Sequence, residues 1–250
     1  MTINTQGDAQ KRYIRQLKIQ QWGETAQHKL QSAHITVVGT GGLGSPVLYY
    51  LAAAGVGKLR FIDGDKVDIS NLNRQILFSE EDIGAYKAQR AAEKITALNS
   101  EIELEYVTDI LTAENIETLI PDSDVIVDCL DNFSTRFVLN KYAVSRTIPL
   151  VHGGIHGFSG QLTTIIPGET PCLECLFAGM EDPTQEAGAR IPSPVLGAVV
   201  GVIGSLQALE AIKIVSNVGT AYAQRLLIYD GLSGNFNEIE VARDVNCPVC

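Results

Sequence analysis

A glycine-rich turn between a predicted strand and a predicted helix restricts the fold of this chain more than any other feature. The run HITVVG at 34–39 is rich in β-branched residues, and an apolar helix is predicted at 43–54. The turn between them contains Gly39, Gly41, Gly42 and Gly44. Glycines permit a close approach of backbone N–H groups to a phosphate, and the helix N-terminus adds a partial positive charge. The next predicted strand, 58–63, ends in Asp63, which can bind ribose hydroxyls. The pattern predicts a nucleotide site without choosing between NAD and ATP.

Short β-rich runs alternate with helical segments through the first half of the chain. Further strands are predicted at 102–107, 125–129 and 148–153, and helices at 87–98, 112–119 and 134–145. This alternation is typical of an α/β fold with a Rossmann-like, mostly parallel sheet and helices on both faces. After residue 155, strands are predicted at 161–167, 225–230 and 235–241. With only one long helix between the first two of these, we expect them to extend the sheet in antiparallel fashion.

The organisation of the chain indicates one domain over residues 1–250. No linker rich in Pro, Gly or Ser separates the two halves, and 250 residues can form a single large domain. We expect the nucleotide-binding half at about 30–150, and the sheet extension, a crossover loop and a zinc site at about 151–250. The polar stretch at 179–194 is predicted to be that mobile crossover loop.

The charge of the chain argues against two classes of partner. Its formal net charge of −10 at pH 7 disfavours a broad basic surface for nucleic acid, and no polybasic segment points to an anionic membrane. The first 16 residues lack the apolar core of a secretory or transit peptide, so we expect a cytoplasmic location.

One apolar run, at 195–212, has the composition of a membrane span in its first half. Its second half is interrupted by Ser205, Gln207 and Glu210. Three small residues, Gly197, Gly201 and Ser205, follow one another at intervals of four. We therefore predict a buried helix packed closely against a neighbouring element.

The residues after the second strand, DGDKVDISNLNRQ at 63–75, favour ATP over NAD. A triphosphate carries about four negative charges and needs matching donors, whereas a dinucleotide reductase needs no arginine here. Asn71 and Arg74 are three residues apart and share a face if this segment forms a helical turn. The alternative is a solvated polar loop.

Two further charged residues are candidates for the same site. Lys87 begins a predicted helix, although taken alone it fits an exposed lysine equally well. Asp131 follows the strand at 125–129, and ligands of open α/β sheets bind at the carboxyl ends of strands, where a carboxylate can hold Mg²⁺. The alternative for Asp131, and for Asn132, is capping of the next helix.

Four of the five cysteines form two Cys-x-x-Cys pairs, Cys172 with Cys175 and Cys247 with Cys250. Two such pairs are typical of a structural Zn²⁺ held by four thiolates, which here clips two remote segments together. The alternative is a redox pair, which normally opens a helix in a thioredoxin-like unit. The fifth cysteine, Cys129, lies in a strand and is expected to be buried and inert.

Together these motifs resemble the MoeB/ThiF/HesA family, the bacterial relatives of ubiquitin-activating enzymes. The resemblance is carried by Arg12-Tyr13-x-Arg15-Gln16, Gly39-x-Gly41-Gly42-Leu43-Gly44, Asp63-x-Asp65, Asn71-Leu72-Asn73-Arg74-Gln75, Lys87 and Asp128-Cys129-x-Asp131-Asn132. It extends to GGIHGFSGQ at 153–161, VLGAVVGVIGS at 195–205 and both Cys-x-x-Cys pairs, and so runs from about residue 10 to the C-terminus.

Members of this family adenylate the C-terminal glycine carboxylate of a small ubiquitin-like protein and release pyrophosphate. The resemblance implies an ATP-dependent adenylyltransferase acting on a sulfur carrier with a Gly-Gly tail, in thiamine, molybdopterin or related biosynthesis. It implies a nucleotide site of Gly39, Gly41, Gly42, Gly44, Asp63, Asp65, Ser70, Asn71, Asn73, Arg74, Lys87, Asp131 and Asn132. Asp131, also the implied Mg²⁺ ligand, is implied to be catalytic with Arg74, Lys87 and Arg15. Arg15 resembles an arginine that reaches into the partner subunit's site in a homodimer.

The sequence departs from the family in one respect. Many members carry a crossover-loop cysteine able to form a thioester or persulfide, and the corresponding place here is near Arg190, within a stretch from 176 to 246 that contains no cysteine. We therefore expect no thioester on this chain, and transfer of the acyl-adenylate to an external sulfur donor. The alternatives are adenylation of a small-molecule carboxylate or a tRNA base, an NAD(P)-dependent oxidoreductase, and a non-catalytic zinc-stabilised binding module.

Overall fold

A single mixed sheet runs through the part of the chain that the computed structural model describes, residues 11–180 and 194–250. Within these ranges its strands are β1 (His34–Val38), β2 (Lys58–Ile62), β3 (Glu103–Val107), β4 (Val125–Asp128), β5 (Leu150–His156), β6 (Ser159–Ile165), β7 (Arg225–Asp230) and β8 (Asn235–Glu240). Their order is β3-β2-β1-β4-β5-β6-β7-β8. Neighbours from β3 to β5 are parallel, whereas β6, β7 and β8 are added in antiparallel fashion. The predicted Rossmann-like sheet and its antiparallel extension are confirmed.

The described helices cover both faces of this sheet. They are α1 (Ile14–Leu17), α2 (Gly23–Ser32), α3 (Gly44–Ala54), α4 (Lys87–Leu98), α5 (Ile116–Leu119), α6 (Phe133–Ser145), α7 (Leu173–Phe177) and α8 (Gly197–Ser216), with 3-10 turns at Ile69–Asn71 and Glu80–Asp82. The sequence pattern predicted none of α1, α2 and α7. Most of the predicted crossover loop, residues 181–193, lies outside the described residues.

Two predicted boundaries differ from the observed ones for local reasons. The helix predicted from residue 112 begins only at Ile116, because the Asn115 Oδ1 accepts a hydrogen bond from the Thr112 N–H (2.8 Å) and closes a turn before it. The strands predicted at 148–153 and 161–167 extend further towards each other than predicted, because a tight turn with Gly157 at φ +59° joins β5 to β6.

The core lies on both faces of the parallel strands, which is why these strands read as continuous apolar runs. Side chains alternate along β1, so that Val37 packs with α3, α4 and α8 on one face and Val38 packs with α5 and α6 on the other. Val127 and Ile126 repeat this division on β4. The layering leaves the carboxyl ends of β1, β2 and β4 side by side, and the candidate site is built there.

Helix α8 is a core helix, as predicted, although it is the one described helix with the length and apolar composition of a membrane span. Its close approaches differ from the expected ones. A Cβ on Gly204 would lie 2.5 Å from the Pro46 Cγ, and a Cβ on Gly197 would lie 2.5 Å from the Asn73 carbonyl oxygen. A Cβ on Gly201 would meet no described atom within 4 Å. The close approach expected at Gly197 is therefore observed and that at Gly201 is not, whereas Gly204 supplies one because it faces α3.

Candidate functional site

The glycine turn closes tightly on the end of β4. Gly39 has φ +95°, and a Cβ there would lie 2.6 Å from the Cys129 carbonyl oxygen. A Cβ on Gly44 would lie 2.1 Å from the carbonyl oxygen of Gly39. Larger residues at either place would push the first turn of α3 away from the sheet. The turn therefore presents the N-terminus of α3, which is suited to binding phosphate. This N-terminus lies next to the segment that carries Asp131.

Asp63 ties the end of β2 to this turn. Its Oδ2 accepts hydrogen bonds from the Thr40 N–H (2.8 Å) and the Thr40 hydroxyl (2.9 Å). Its Oδ1 accepts from the Asp65 N–H (2.9 Å). The carboxylate thus shapes the turn, a role that sequence analysis did not assign. It is half-buried and keeps a solvent-facing side for the predicted ribose contact.

The segment after Asp63 folds into the helical turn expected for it. The Arg74 N–H donates to the Asn71 carbonyl oxygen (3.1 Å), and the side chain of Arg74 passes beside Gly42, whose Cβ would lie 3.7 Å from the Arg74 Cγ. The guanidinium donates to the Ser70 carbonyl oxygen (2.9 Å) and to the Asn73 Oδ1 (3.0 Å). The structure therefore brings Arg74, Ser70 and Asn73 together beside the glycine turn.

Asn71 has a local role that sequence analysis did not assign. Its Oδ1 accepts a hydrogen bond from the Asp68 N–H (3.1 Å), and the Asp68 Oδ1 accepts from the Ser70 N–H (2.8 Å). These bonds cap the turn and satisfy its first N–H groups. Hydrogen bonds from Ser70 hold the pKa of Asp68 below its usual value. The cap fixes the backbone from which Arg74 projects.

Lys87 is buried, which contradicts its reading as an ordinary exposed lysine. Its side chain is only 6% exposed and its Nζ lies 2.9 Å from the Asp65 Oδ2, while the Asp65 side chain is 67% exposed. The Lys87 N–H also donates to the Asp65 carbonyl oxygen (2.9 Å). Buried lysines are rare without a partner or a ligand. This arrangement holds a positive charge in place beneath an exposed carboxylate.

The capping alternative is decided in favour of Asn132. The Asn132 Oδ1 accepts from the Thr135 N–H (2.8 Å) and the Ser134 hydroxyl (2.9 Å), and so caps α6. Asp131, the residue before the cap, is exposed at the carboxyl end of β4. It therefore stands where a carboxylate can face a ligand bound at the glycine turn.

Arg15 lies apart from these residues within one chain. It is exposed on α1, and its neighbour Gln16 donates to the Ala54 carbonyl oxygen (2.7 Å) at the C-terminal end of α3. The glycine turn lies at the other end of that helix. Because α3 has 11 residues, its two ends are about 16 Å apart.

A buried charged cluster lies behind the Asp131 segment and was not anticipated from sequence. The Asp128 Oδ2 is 2.7 Å from the His152 Nδ1 and 3.4 Å from the Arg136 Nε, and the Asp128 and His152 side chains are 0% exposed. Burial alone would raise the pKa of Asp128, but Arg136 and His152 outweigh burial and hold that pKa below its usual value. Burial lowers the pKa of His152, so this imidazole is neutral at pH 7.

The available sequence signal for this cluster was polarity inside apolar segments. Asp128 ends an apolar strand, and Gln207 lies within the apolar run of α8. The Gln207 Nε2 donates to the Asp128 carbonyl oxygen (2.7 Å) and to that of Val151 (3.3 Å).

The two Cys-x-x-Cys pairs meet in one cluster. The four Sγ atoms of Cys172, Cys175, Cys247 and Cys250 all lie within 4.8 Å of one another. The Cys172 and Cys247 sulfurs are 3.7 Å apart and those of Cys175 and Cys250 are 3.4 Å apart, distances that exclude disulfides. A tetrahedral zinc with Zn–S bonds of about 2.3 Å requires sulfur separations of about 3.8 Å. The donor set therefore fits Zn²⁺.

Hydrogen bonds of the backbone position the segments that carry these cysteines. The Leu173 N–H donates to the Asn140 Oδ1 (2.9 Å), which fixes the start of α7 beside Cys172. The N–H groups of Val249 and Cys250 both point at the Cys247 sulfur (3.5 Å each). Donors aimed at a sulfur stabilise its thiolate form.

Comparison with known proteins decides the family. The ThiF family matches residues 13–249. The chain belongs to the ThiF family. It is 39% identical over 250 residues to the SAMP-activating enzyme E1 of Haloferax volcanii, covering 100% of this chain and 92% of the relative. It is 41% identical over 248 residues to the sulfur carrier protein adenylyltransferase of Thermus thermophilus, covering 96% of this chain and 90% of the relative.

The solved structures agree on the fold of this ThiF-family chain. A structure of E. coli MccB with ATP superposes with a TM-score of 0.83 at 26% sequence identity, over 96% of this chain and 74% of that one. The family resemblance drawn from the motifs is therefore confirmed.

Proposed function

We propose that this ThiF-family chain is an ATP-dependent adenylyltransferase that activates the C-terminal glycine carboxylate of a small ubiquitin-like sulfur carrier. The observation that carries the proposal is the placement of Arg74 beside a glycine turn that admits no side chain at Gly39 or Gly44. The relatives named as a sulfur carrier adenylyltransferase and as a SAMP-activating enzyme match nearly the whole chain, which supports the same activity.

The proposed reaction joins a carboxylate to the α-phosphate of ATP and expels pyrophosphate. The carrier's carboxylate is already ionised at pH 7, so the enzyme needs no general base. It has to offset the repulsion between two anions and stabilise the leaving group. The N–H groups at the start of α3 receive phosphate oxygens, while Arg74 and Lys87 neutralise the outer phosphates. In this scheme Lys87 exchanges the Asp65 carboxylate for a phosphate oxygen.

The remaining nucleotide contacts follow from the same placement. Asp63 keeps its solvent-facing side for the ribose hydroxyls, and Asn71 and Asn73 add polar groups along the edge of the Arg74 turn. The exposed Asp131 carboxylate is a suitable ligand for Mg²⁺, because this cation prefers oxygen donors and keeps several waters. When bound, Mg²⁺ offsets the negative charge of the phosphates.

Two features support the further proposal that the chain works as a homodimer and passes its product to another protein. Arg15 is separated from its own glycine turn by the length of α3, so its proposed contact with ATP is made in the partner subunit's site. The stretch from 176 to 246 contains no cysteine, so the acyl-adenylate passes to an external sulfur donor. The place near Arg190 that corresponds to the cysteine of other members lies outside the described residues.

The four-cysteine cluster is proposed to hold a structural Zn²⁺. Burial raises the pKa of the Cys172 thiol to about 12, so binding of the metal displaces a proton that would otherwise remain on that sulfur. The cluster joins the start of α7 to the last residues of the chain. We propose a cytoplasmic location, and the use of ATP and of reduced thiols supports it.

A second candidate is adenylation of a small-molecule carboxylate, which is also compatible with the likeness to a structure of MccB with ATP. That relative is only 26% identical, compared with 41% for the sulfur carrier adenylyltransferase. A tRNA acceptor is disfavoured by the net charge of −10.

Exchange of labelled pyrophosphate into ATP tests the proposal. We expect exchange that depends on a carrier ending in Gly-Gly and is lost when the two glycines are removed from that carrier. Exchange supported only by a small acid would transfer the assignment to the second candidate. Binding of NADH with no exchange under any condition would overturn both.

A further inference from the structure

We propose that Arg136 is a positioning residue for the adenylylation reaction, because it holds the backbone segment that carries Asp131. This inference rests on the proposed function and deepens it. Arg136 is buried on α6 behind the site, and it acts through main-chain contacts without touching the substrate.

The residue immediately before Asp131 is held at both of its backbone polar groups by one ion pair. The Leu130 N–H donates to the Asp128 Oδ1 (3.0 Å), and the Leu130 carbonyl oxygen accepts from the Arg136 Nη2 (2.5 Å). Asp128 and Arg136 are themselves paired through the Asp128 Oδ2 and the Arg136 Nε (3.4 Å). A shift of either charged side chain therefore moves the peptide that leads into Asp131.

The guanidinium of Arg136 is fixed by the sheet. Its Nη2 also donates to the Gly153 carbonyl oxygen on β5 (2.8 Å), and its side chain is only 8% exposed. A planar guanidinium presents several donors in a rigid fork, so it can bridge two carbonyl oxygens while pairing with a carboxylate. Arg136 thereby connects the segment that carries Asp131 to β5 as well as to β4, the strand that this segment follows.

The other side of Asp128 is occupied by a neutral histidine. The His152 Nδ1 is 2.7 Å from the Asp128 Oδ2, and the Gln161 Nε2 lies 3.2 Å from the His152 Nε2. An amide donor at Nε2 leaves the imidazole proton on Nδ1, where it is donated to Asp128. The carboxylate thus has a fixed orientation before any substrate binds.

Burying charged side chains in this way is unfavourable for stability compared with an apolar core. A buried ion pair is often no more stabilising than apolar side chains of similar volume, and its best-attested use is to specify one geometry. Here the geometry specified is that of one exposed residue. Leu130 is fixed on one side of Asp131, and Asn132 is fixed on the other as the cap of α6. The Asp131 carboxylate projects from a backbone that is held at both ends.

The test compares Arg136→Met, Arg136→Lys and the control Arg146→Met in the full-length protein. Arg146 lies just after α6 in an exposed ion pair with Glu117. We expect Arg136→Met to lower carrier-dependent pyrophosphate exchange by about 100-fold, the cost of misplacing a reacting group by about 1 Å. We also expect it to raise the Mg²⁺ concentration needed for half-maximal exchange. Arg136→Lys should recover part of both losses, and Arg146→Met should stay within twofold of the unchanged protein.

A purely structural role gives a different result. In that case Arg136→Met melts at a lower temperature, but below its melting temperature it keeps the normal exchange rate and Mg²⁺ dependence, and the proposal is overturned. If this variant does not fold, the double variant Asp128→Asn with Arg136→Met removes both charges together and should show the same two defects in a folded protein. Absence of exchange in the unchanged protein would instead reject the proposed function itself.

A second readout does not depend on activity. Amide hydrogen exchange of the peptide containing Leu130 and Asp131 should become at least tenfold faster in Arg136→Met and unchanged in Arg146→Met. Equal protection in both variants would show that Arg136 does not hold this segment.

Discussion

The Nζ of Lys87 lies 2.9 Å from the Oδ2 of Asp65, and the lysine is buried while the carboxylate is exposed. The cation is therefore held in place by its burial, whereas its partner Asp65 is open to solvent, on the side where the proposed ATP phosphates would bind. An anion that replaces Asp65 meets a lysine whose conformational entropy has already been lost. This is the preorganisation that electrostatic stabilisation of a leaving group requires.

Replacing this lysine should damage catalysis more than folding. We expect Lys87→Met to lower carrier-dependent pyrophosphate exchange by about 10²- to 10³-fold, because one fixed donor at a developing charge is worth about 2.7–4 kcal/mol. Lys58→Met is the matched control, since Lys58 makes surface ion pairs with Glu103 and Glu105. The control should retain exchange within twofold, and full exchange by Lys87→Met would remove the lysine from the mechanism.

Substitutions of the neighbouring residues Asp131 and Asn132 should differ in their effect on the stability of the protein. Asp131→Ala should abolish exchange with little change in melting temperature, because this exposed carboxylate is not the helix cap. Asn132→Ala should cost about 1 kcal/mol of stability, because it removes the acceptor for the Thr135 N–H in the first turn of α6. Chemical denaturation of both variants measures the difference. Equal destabilisation by both changes would contradict the assignment of the cap.

Removal of one thiol should release the metal and loosen the C-terminal half. We expect about one zinc ion per chain in the unchanged protein, and loss of zinc with a clearly lower melting temperature in Cys172→Ser. Cys129→Ala is the control, because this buried thiol is not part of the four-cysteine cluster found among the described residues. Elemental analysis and thermal unfolding provide the readouts. Unchanged melting of Cys172→Ser, with zinc absent, would deny the metal a structural role.

The buried cluster should make the protein less stable in acid. Burial lowers the folded-state pKa of His152 below 6.5, so the unfolded chain binds more protons, and the free energy of unfolding falls as pH drops below about 6.5. The loss is about 1.4 kcal/mol per pH unit for one proton. The lowered pKa of Asp128 adds a loss below 3.8 that continues until its folded-state pKa is passed.

Urea unfolding at pH 7.5 and pH 5.5 measures the histidine contribution. The unchanged protein should lose more stability between these values than His152→Gln, which keeps a donor for Asp128 but cannot bind the proton. His34 also has a pKa lowered by burial and contributes with the same sign in both proteins. An identical loss in the two proteins would assign the acid sensitivity to groups other than His152.

Much of the fold was predictable because its signals are local. The order of strands and helices follows from the apolar period, and the glycine turn follows from backbone conformations that only glycine adopts freely. The same holds for the cysteine pairs, whose spacing alone suggests a metal. Elements without a strong apolar period, such as α1 and α7, were missed. The register of contacts on α8 was misplaced, because small residues recur there on more than one face.

The sequence by itself determined the family, the parallel sheet and the identity of the candidate phosphate and metal ligands. Only the tertiary structure decided that Lys87 is buried beneath Asp65, that Asn132 caps α6 in place of Asp131, and that Asp128, Arg136 and His152 form one charged cluster. The physical reason is that a helix, a strand or a turn is specified by neighbouring residues. The burial of a charge depends on which distant segments close over it, and one sequence pattern is compatible with many such closures.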